Sequence, residues 1–139
     1  MARIQINFPE KNFFSTEISI RITDLNYGGH LGNDTMLSLL HEARVRFLKH
    51  FDYSEMNIEG VGIIMADAAV QFKAEAFYGE SLKIEIAADE FTRAAFDLFY
   101  RVSSSERVVA IAKTGIVFYD YDKKKVVSMP EKFHKKLNK

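Results

Sequence analysis

"TEISIRITDLNYGGHLGNDTMLSLLHEARVRFLKHF", residues 16–51, changes its periodicity twice. Over residues 16–22, Ile18, Ile20 and Ile22 alternate with Glu17, Ser19 and Arg21, the period of two of a half-buried strand. From 35 to about 51, Met36, Leu40, Ala43, Phe47 and Phe51 fall on one stripe at helical spacing, widened by Leu37 and Leu48. Glu42, Arg46 and Lys49 fall opposite, so this is one long helix lying on something apolar. Between the two lies "TDLNYGGHLGND", residues 23–34, with Asp24, Asn26, Tyr27, His30, Asn33, Asp34 and three glycines. Gly, Asn and Asp make turns, and Asn33 or Asp34 is expected to cap the helix. A turn accounts for every residue type there except His30.

Working outward, residues 61–76 form a long run of β-branched and small residues. "SLKIEIAADEF" (81–91), "AAFDLFYRVSSS" (94–105) and "RVVAIAKTGIVFYDY" (107–121) add three more strands. Leu82, Ile84 and Ile86 alternate with Lys83 and Glu85, and Phe96, Leu98, Tyr100 and Val102 alternate in the same way. Their links are too short for parallel crossovers, so the strands pair antiparallel. The order of strand, long helix and four strands predicts an α+β domain over residues 1–139, with one helix laid on a sheet of five to six strands. Long apolar edges predict pairing with another copy as a homodimer with a continuous sheet, or as a dimer of dimers. The charge runs "DKKKV" (122–126) and "EKFHKKLNK" (131–139) read as a solvated turn and a solvated terminal segment.

With 139 residues and 47% hydrophobic content, the chain has the size of one domain with one core. Nineteen basic and nineteen acidic side chains balance, so no overall field draws it to nucleic acid or to an anionic membrane. There is no cysteine, which leaves oxygen and nitrogen groups to carry any chemistry. "MARIQINFPEKNFF" lacks the features of a signal peptide, and no apolar run approaches the roughly 20 residues that cross a bilayer. A cytoplasmic protein is expected.

Three segments in order, "DLNYGGHLGND", "HEAR" and "AFYGESLKIEI", give the chain a likeness from about residue 14 to 120. It resembles the hotdog-fold acyl thioesterases of the 4-hydroxybenzoyl-CoA thioesterase type. The resemblance implies a hotdog fold, in which an antiparallel sheet wraps around one long central helix. It also implies hydrolysis of an acyl-CoA or acyl-ACP thioester, with no cofactor and no metal. In the bacterial members the second acidic position of an Asp-x-Asp pair is the catalytic carboxylate; here the first is Asp24 and the second is Asn26. The plant acyl-carrier-protein thioesterases carry an Asp-x-Asn-x-His pattern before the helix and a glutamate on it. His30 and Glu42 match that histidine and glutamate, while the asparagine position is Gly28.

Thioester hydrolysis asks for a group that polarises the carbonyl and a base that activates water. Asp24, His30 and Glu42 are the candidate bases; Asn26 can bind a carbonyl or orient a water, as can amides at the helix start. Tyr27, Gly28, Gly29, Asn33 and Asp67 are the expected substrate contacts, and Gly28, Gly29 and Gly32 allow close approach. Asp67 enters the apolar "GIIMADAAV" (62–70), where a carboxylate is hydrogen-bonded or has a raised pKa. It would face the acyl tunnel or a partner subunit, or serve as a satisfied structural group. Arg44 breaks the apolar arc of the helix and is expected to pair with Asp24 or Asp67. Lys73, Arg101, Arg107 and Lys113 are possible partners for the phosphates of the carrier arm, and nothing in their spacing singles one out. The twelve phenylalanines and five methionines serve mainly as core, some as an acyl pocket. Two other readings remain open: a hotdog dehydratase or hydratase, and a non-catalytic acyl-thioester binding module, which the Asn26 replacement favours.

Overall fold

The computed structural model describes residues 3–11 and 14–138. Strand β1 (Phe14–Ser19) runs into a single 3-10 turn (Ile22–Asp24) and then into helix α1 (Asn33–His50). Strands β2 (Gly62–Phe72), β3 (Ser81–Asp89), β4 (Ala95–Ser104) and β5 (Arg107–Asp120) follow, then the short β6 (Lys125–Val126) and helix α2 (Glu131–Leu137). The sheet has the order β1-β3-β4-β5-β2, with β6 paired to β5, and every pairing is antiparallel.

Register places a row of side chains across five strands: Phe14 opposite Ile86, Ile86 opposite Tyr100, Tyr100 opposite Ala112, and Ala112 opposite Val70. This inner face is apolar because the period-two pattern of each strand is in phase with its neighbour's. Helix α1 covers it with Met36, Leu39, Leu40, Ala43, Phe47 and Leu48, all buried. Phe47 meets Phe14 edge-on at 6.1 Å. The result is the hotdog arrangement, an α+β fold with a sheet wrapped around one long helix. No helix among the described residues is long and apolar enough to cross a membrane.

Several boundaries differ from the sequence reading. The first strand stops at Ser19, because Asp24 accepts from the Arg21 amide at 2.8 Å and bends the chain into the 3-10 turn. Ile22 is therefore 65% exposed rather than part of the inner row. The N-cap of α1 is Gly32, whose carbonyl accepts from the Met36 amide at 3.1 Å; neither Asn33 nor Asp34 caps the helix. Leu37, expected to widen the apolar stripe, is exposed. The second strand ends at Phe72 rather than at 76, because the amides of Lys73 and Ala74 both turn to the Val109 carbonyl, at 2.9 and 3.2 Å.

The terminal segment is a correction of another kind. Within "EKFHKKLNK" the chain forms α2 and buries Phe133 and Leu137, four residues apart on one face. The Phe133 ring lies 5.1 Å from that of Phe96, 5.2 Å from Phe118 and 5.8 Å from Tyr53, so α2 closes one end of the core. The lysines around it face solvent, which is why the segment read as a wet tail. Phe133→Ala is expected to destabilise the fold by about 3–5 kcal/mol, read as a lowered urea midpoint at unchanged slope. A loss below about 1 kcal/mol would mean that α2 is not part of the core.

Candidate active site

The glycine loop is fixed by hydrogen bonds that begin at Asp24. Its side chain is 4% exposed and accepts from the Arg21 amide and from the Arg21 guanidinium at 3.2 and 3.3 Å. Burial pushes the Asp24 carboxyl up, but the Arg21 bonds outweigh it and hold the group below the ordinary carboxylate range. The Asp24 carbonyl accepts from the Gly32 amide at 3.1 Å, and the Ala76 carbonyl accepts from the Leu31 amide at 2.8 Å. Asp24 is thus a buried anchor of the loop.

Asn26 closes the tip. Its Oδ1 accepts from the amides of Gly28 at 2.9 Å and His30 at 3.4 Å, its own amide donates to the His30 carbonyl at 2.8 Å, and its carbonyl accepts from Gly29 at 3.1 Å. Gly29 has a φ of +82°, a conformation that disfavours any residue with a Cβ. Tyr27, an expected substrate contact, is 107% exposed at the tip.

His30 sits where the loop meets the helix. Its Nδ1 lies 3.4 Å from Asn26 Nδ2 and 3.3 Å from the Leu31 carbonyl, so the ring either accepts from one or donates to the other. Its Nε2 lies 3.9 Å from Glu75 Oε1. His30, Gly32, Asn33, Phe72, Lys73 and Glu75 border a depression of about 320 Å³ between the start of α1 and the end of β2. The amides of Asn33, Asp34 and Thr35 precede the first intrahelical bond and carry the positive end of the helix dipole.

Glu42 is elsewhere. It accepts from Arg46 Nε at 2.8 Å and borders a second depression, of about 430 Å³, with Glu17, Arg21 and Ser38. The chain brings Asn26, Gly28, His30 and Asn33 together at one place and leaves Glu42 on another face of the helix. Asp67 follows a bulge in β2, is exposed, and accepts from Lys113 Nζ at 2.8 Å and from the Gly115 amide at 3.0 Å. The Lys113 bond holds its carboxyl below the ordinary range, so the hydrogen-bonded alternative holds and the raised pKa does not. A Cβ on Gly115 would come within 2.5 Å of Asp67 Oδ1.

Arg44 pairs with neither Asp24 nor Asp67. Its Nε donates to Glu55 at 3.1 Å and its Nη1 to the Tyr100 hydroxyl at 3.2 Å, which lies 2.8 Å from Thr114 Oγ1. Glu55 also meets His41 Nε2 at 2.8 Å. Burial raises the Glu55 carboxyl, and the His41 and Arg44 bonds more than reverse this. This chain of polar groups beneath the helix was missed in the sequence. His41 and Arg44 share a face at a spacing of three, but Glu55 reaches them across a loop that no spacing reveals.

Comparison with known proteins places these features in a family context. A profile of the thioesterase-like superfamily matches residues 20–137. A relative from Aquifex aeolicus (strain VF5), named as a presumed esterase, is 29% identical over 92 residues, covering 65% of this chain and 70% of the relative. A 1,4-dihydroxy-2-naphthoyl-CoA thioesterase from Synechocystis has a similar structure, with a TM-score of 0.82, 22% identity, and coverage of 90% of this chain and 95% of that one. A gentisyl-coenzyme A thioesterase gives 0.78 and 20%, covering 87% and 99%. At these identities the structural likeness speaks for the fold.

Asp24 yields a pH-dependent prediction. Its carboxyl lies lower in the folded chain than in the unfolded one, so its contribution is complete above the unfolded value of about 3.9 and is lost as pH falls through the lower folded value. Asp24→Asn should cost about 1 kcal/mol at pH 7, mainly through the weakened bond to the Arg21 amide, since the guanidinium is solvent-screened. In urea titrations the gap to the parent protein should be constant above the unfolded value of about 3.9 and should close as pH falls below it. A gap that stays constant with pH would remove the charge from the explanation.

Proposed function

Because the chain belongs to the thioesterase-like superfamily, we propose that it hydrolyses an acyl thioester carried on coenzyme A or on an acyl carrier protein. The observation that carries this reading is the meeting of His30, the Asn26 loop and the start of α1 at one depression. The thioester carbonyl oxygen lies against the amides of Asn33 and Asp34, where the helix dipole stabilises the charge that develops on it. With its proton on Nδ1 and donated to the Leu31 carbonyl, His30 presents Nε2 as the acceptor. Water attacks the carbonyl carbon and gives its proton to Nε2. The C–S bond then breaks, and the thiolate leaves with that proton. Glu75, 3.9 Å from Nε2, stabilises the imidazolium in between. Asp24 and Asn26 hold the loop in place.

The long β2 edge, with Met65, Ala66, Ala68 and Phe72 exposed, supports pairing with a second copy, as a dimer or as a dimer of dimers in the cytoplasm. One observation favours a second reading, a module that binds thioesters without cutting them. Asn26 stands where the resembling bacterial enzymes have their carboxylate, and its oxygen is engaged by two loop amides.

The test is thiol release from short, medium, long and aromatic acyl-CoAs, read with a thiol-reactive dye, to which the cysteine-free protein adds no background. His30→Ala should lower kcat by about 10²- to 10⁴-fold at an unchanged unfolding midpoint. Glu42→Gln should leave kcat within about threefold, since its carboxylate is held by Arg46. Loss at Glu42 with His30 dispensable would move the base to the other face of the helix. Saturable binding without release from any substrate would favour the binding module.

A further inference from the structure

A thioester carrier arm brings phosphate, and the structure separates the four candidate cations that could meet it, three on strands and Lys73 just past the end of β2. Arg101 donates from Nε and Nη2 to both oxygens of Glu85, at 2.9 and 3.0 Å, reaches Glu10 at 3.2 Å and covers the Phe8 ring. Arg107 donates to both Glu80 oxygens and to the Glu75 carbonyl, at 2.9–3.0 Å. Lys113 bridges Asp67 at 2.8 Å and Asp97 at 3.5 Å. Each of these charges is already neutralised by a carboxylate. Lys73 differs: among the described residues it has no ion pair, and its side chain is exposed. Its backbone is nonetheless fixed, since its amide donates to the Val109 carbonyl at 2.9 Å. It also borders the same depression as His30 and Asn33.

The nearest acid along the chain is Glu75, and its Oε1 stands 3.9 Å from His30 Nε2, on the histidine side of the depression. The rim therefore carries a lysine with no ion pair among the described residues, its backbone fixed and its side chain free to turn, beside a helix start that is itself electropositive. We propose that Lys73 receives a phosphate of the arm that carries the thioester, so that the depression holds the reacting carbonyl within and the charged arm at its rim. This rests on the hydrolase reading above. A lysine suits this contact because its three rotatable N–H donors follow a phosphate on a flexible arm, where the planar fork of an arginine would demand one orientation. Such a contact is made equally in the ground and transition states, so it acts on KM and leaves kcat alone.

The experiment compares wild type, Lys73→Ala and Lys73→Glu on one acyl group presented as its coenzyme A, dephospho-coenzyme A, 4′-phosphopantetheine and N-acetylcysteamine thioesters. Lys123→Ala, in the β5–β6 turn, controls for general loss of positive charge. Lys73→Ala should raise KM for acyl-CoA about three- to tenfold, with kcat within about twofold, and Lys73→Glu should raise it further. Added salt should shrink the difference between wild type and variant. On the phosphate-free N-acetylcysteamine thioester, all four proteins should have the same KM. An effect that persists on the phosphopantetheine thioester assigns the contact to the arm's own phosphate, and one lost with dephospho-coenzyme A assigns it to the 3′-phosphate. An unchanged KM for acyl-CoA, or an equal rise on the phosphate-free thioester, overturns the proposal while leaving hydrolysis standing. Absence of hydrolysis by wild type on every thioester overturns the functional reading and this proposal with it.

Discussion

The inner face of the sheet is apolar on its five long strands, and one stretch of chain long enough to keep water from it is the eighteen-residue helix α1. That requirement fixes much else. Phe47 and Phe14 set where the helix crosses β1, and the buried face from Met36 to Leu48 sets how it is rotated. Once the helix is seated, its first residue has one place to begin, beside the end of β2. The loop before it is then tied at both sides, by the Gly32 amide to Asp24 and by the Leu31 amide to Ala76. The position of His30 follows from packing against the sheet, and the loop only completes it.

Seating the helix also buries a charge. Arg44 lies on the covered side and is 7% exposed, a position that costs several kcal/mol for an unpaired ion. The cost is offset by Glu55 from the following loop and by the Tyr100 hydroxyl, itself bonded to Thr114 on the adjacent strand. Tyr100 is fully buried, and burial pushes its hydroxyl toward staying protonated, which suits a group that bridges two partners. The network stitches α1, the loop after it, β4 and β5 together with directional bonds, where the rest of their contact is non-directional apolar packing.

The parts legible in the sequence were those written in periodicity. Leu82, Ile84 and Ile86, or Phe96 to Val102, alternate because one face is buried, and α1 shows its stripe because one side is covered. The glycine loop was legible as a place where Asn26, Gly28 and His30 would gather. What escaped depends on which partner each group meets once the chain is folded, whether that partner is near or far in sequence. Asp24 reads as an available acid until its burial and its bonds from Arg21 are seen, and Glu42 reads as available until Arg46 is seen beside it one helical turn on. Helix α2 gives two apolar residues among lysines, Phe133 and Leu137, and their burial depends on Tyr53, Phe96 and Phe118 being there to receive them.

The bulge in β2 ties two distant positions into one. Asp67 lies over Gly115 and takes its amide, in the space that any larger residue's Cβ would fill. The two residues are coupled: a side chain at 115 would push the exposed Asp67 carboxylate off the Gly115 amide, and a small residue at 67 leaves Lys113 without its nearest counter-charge. Substitutions at 67 and 115 should therefore be non-additive: once Asp67 is small, the space over residue 115 is open, and a side chain there costs less than it does in the parent chain.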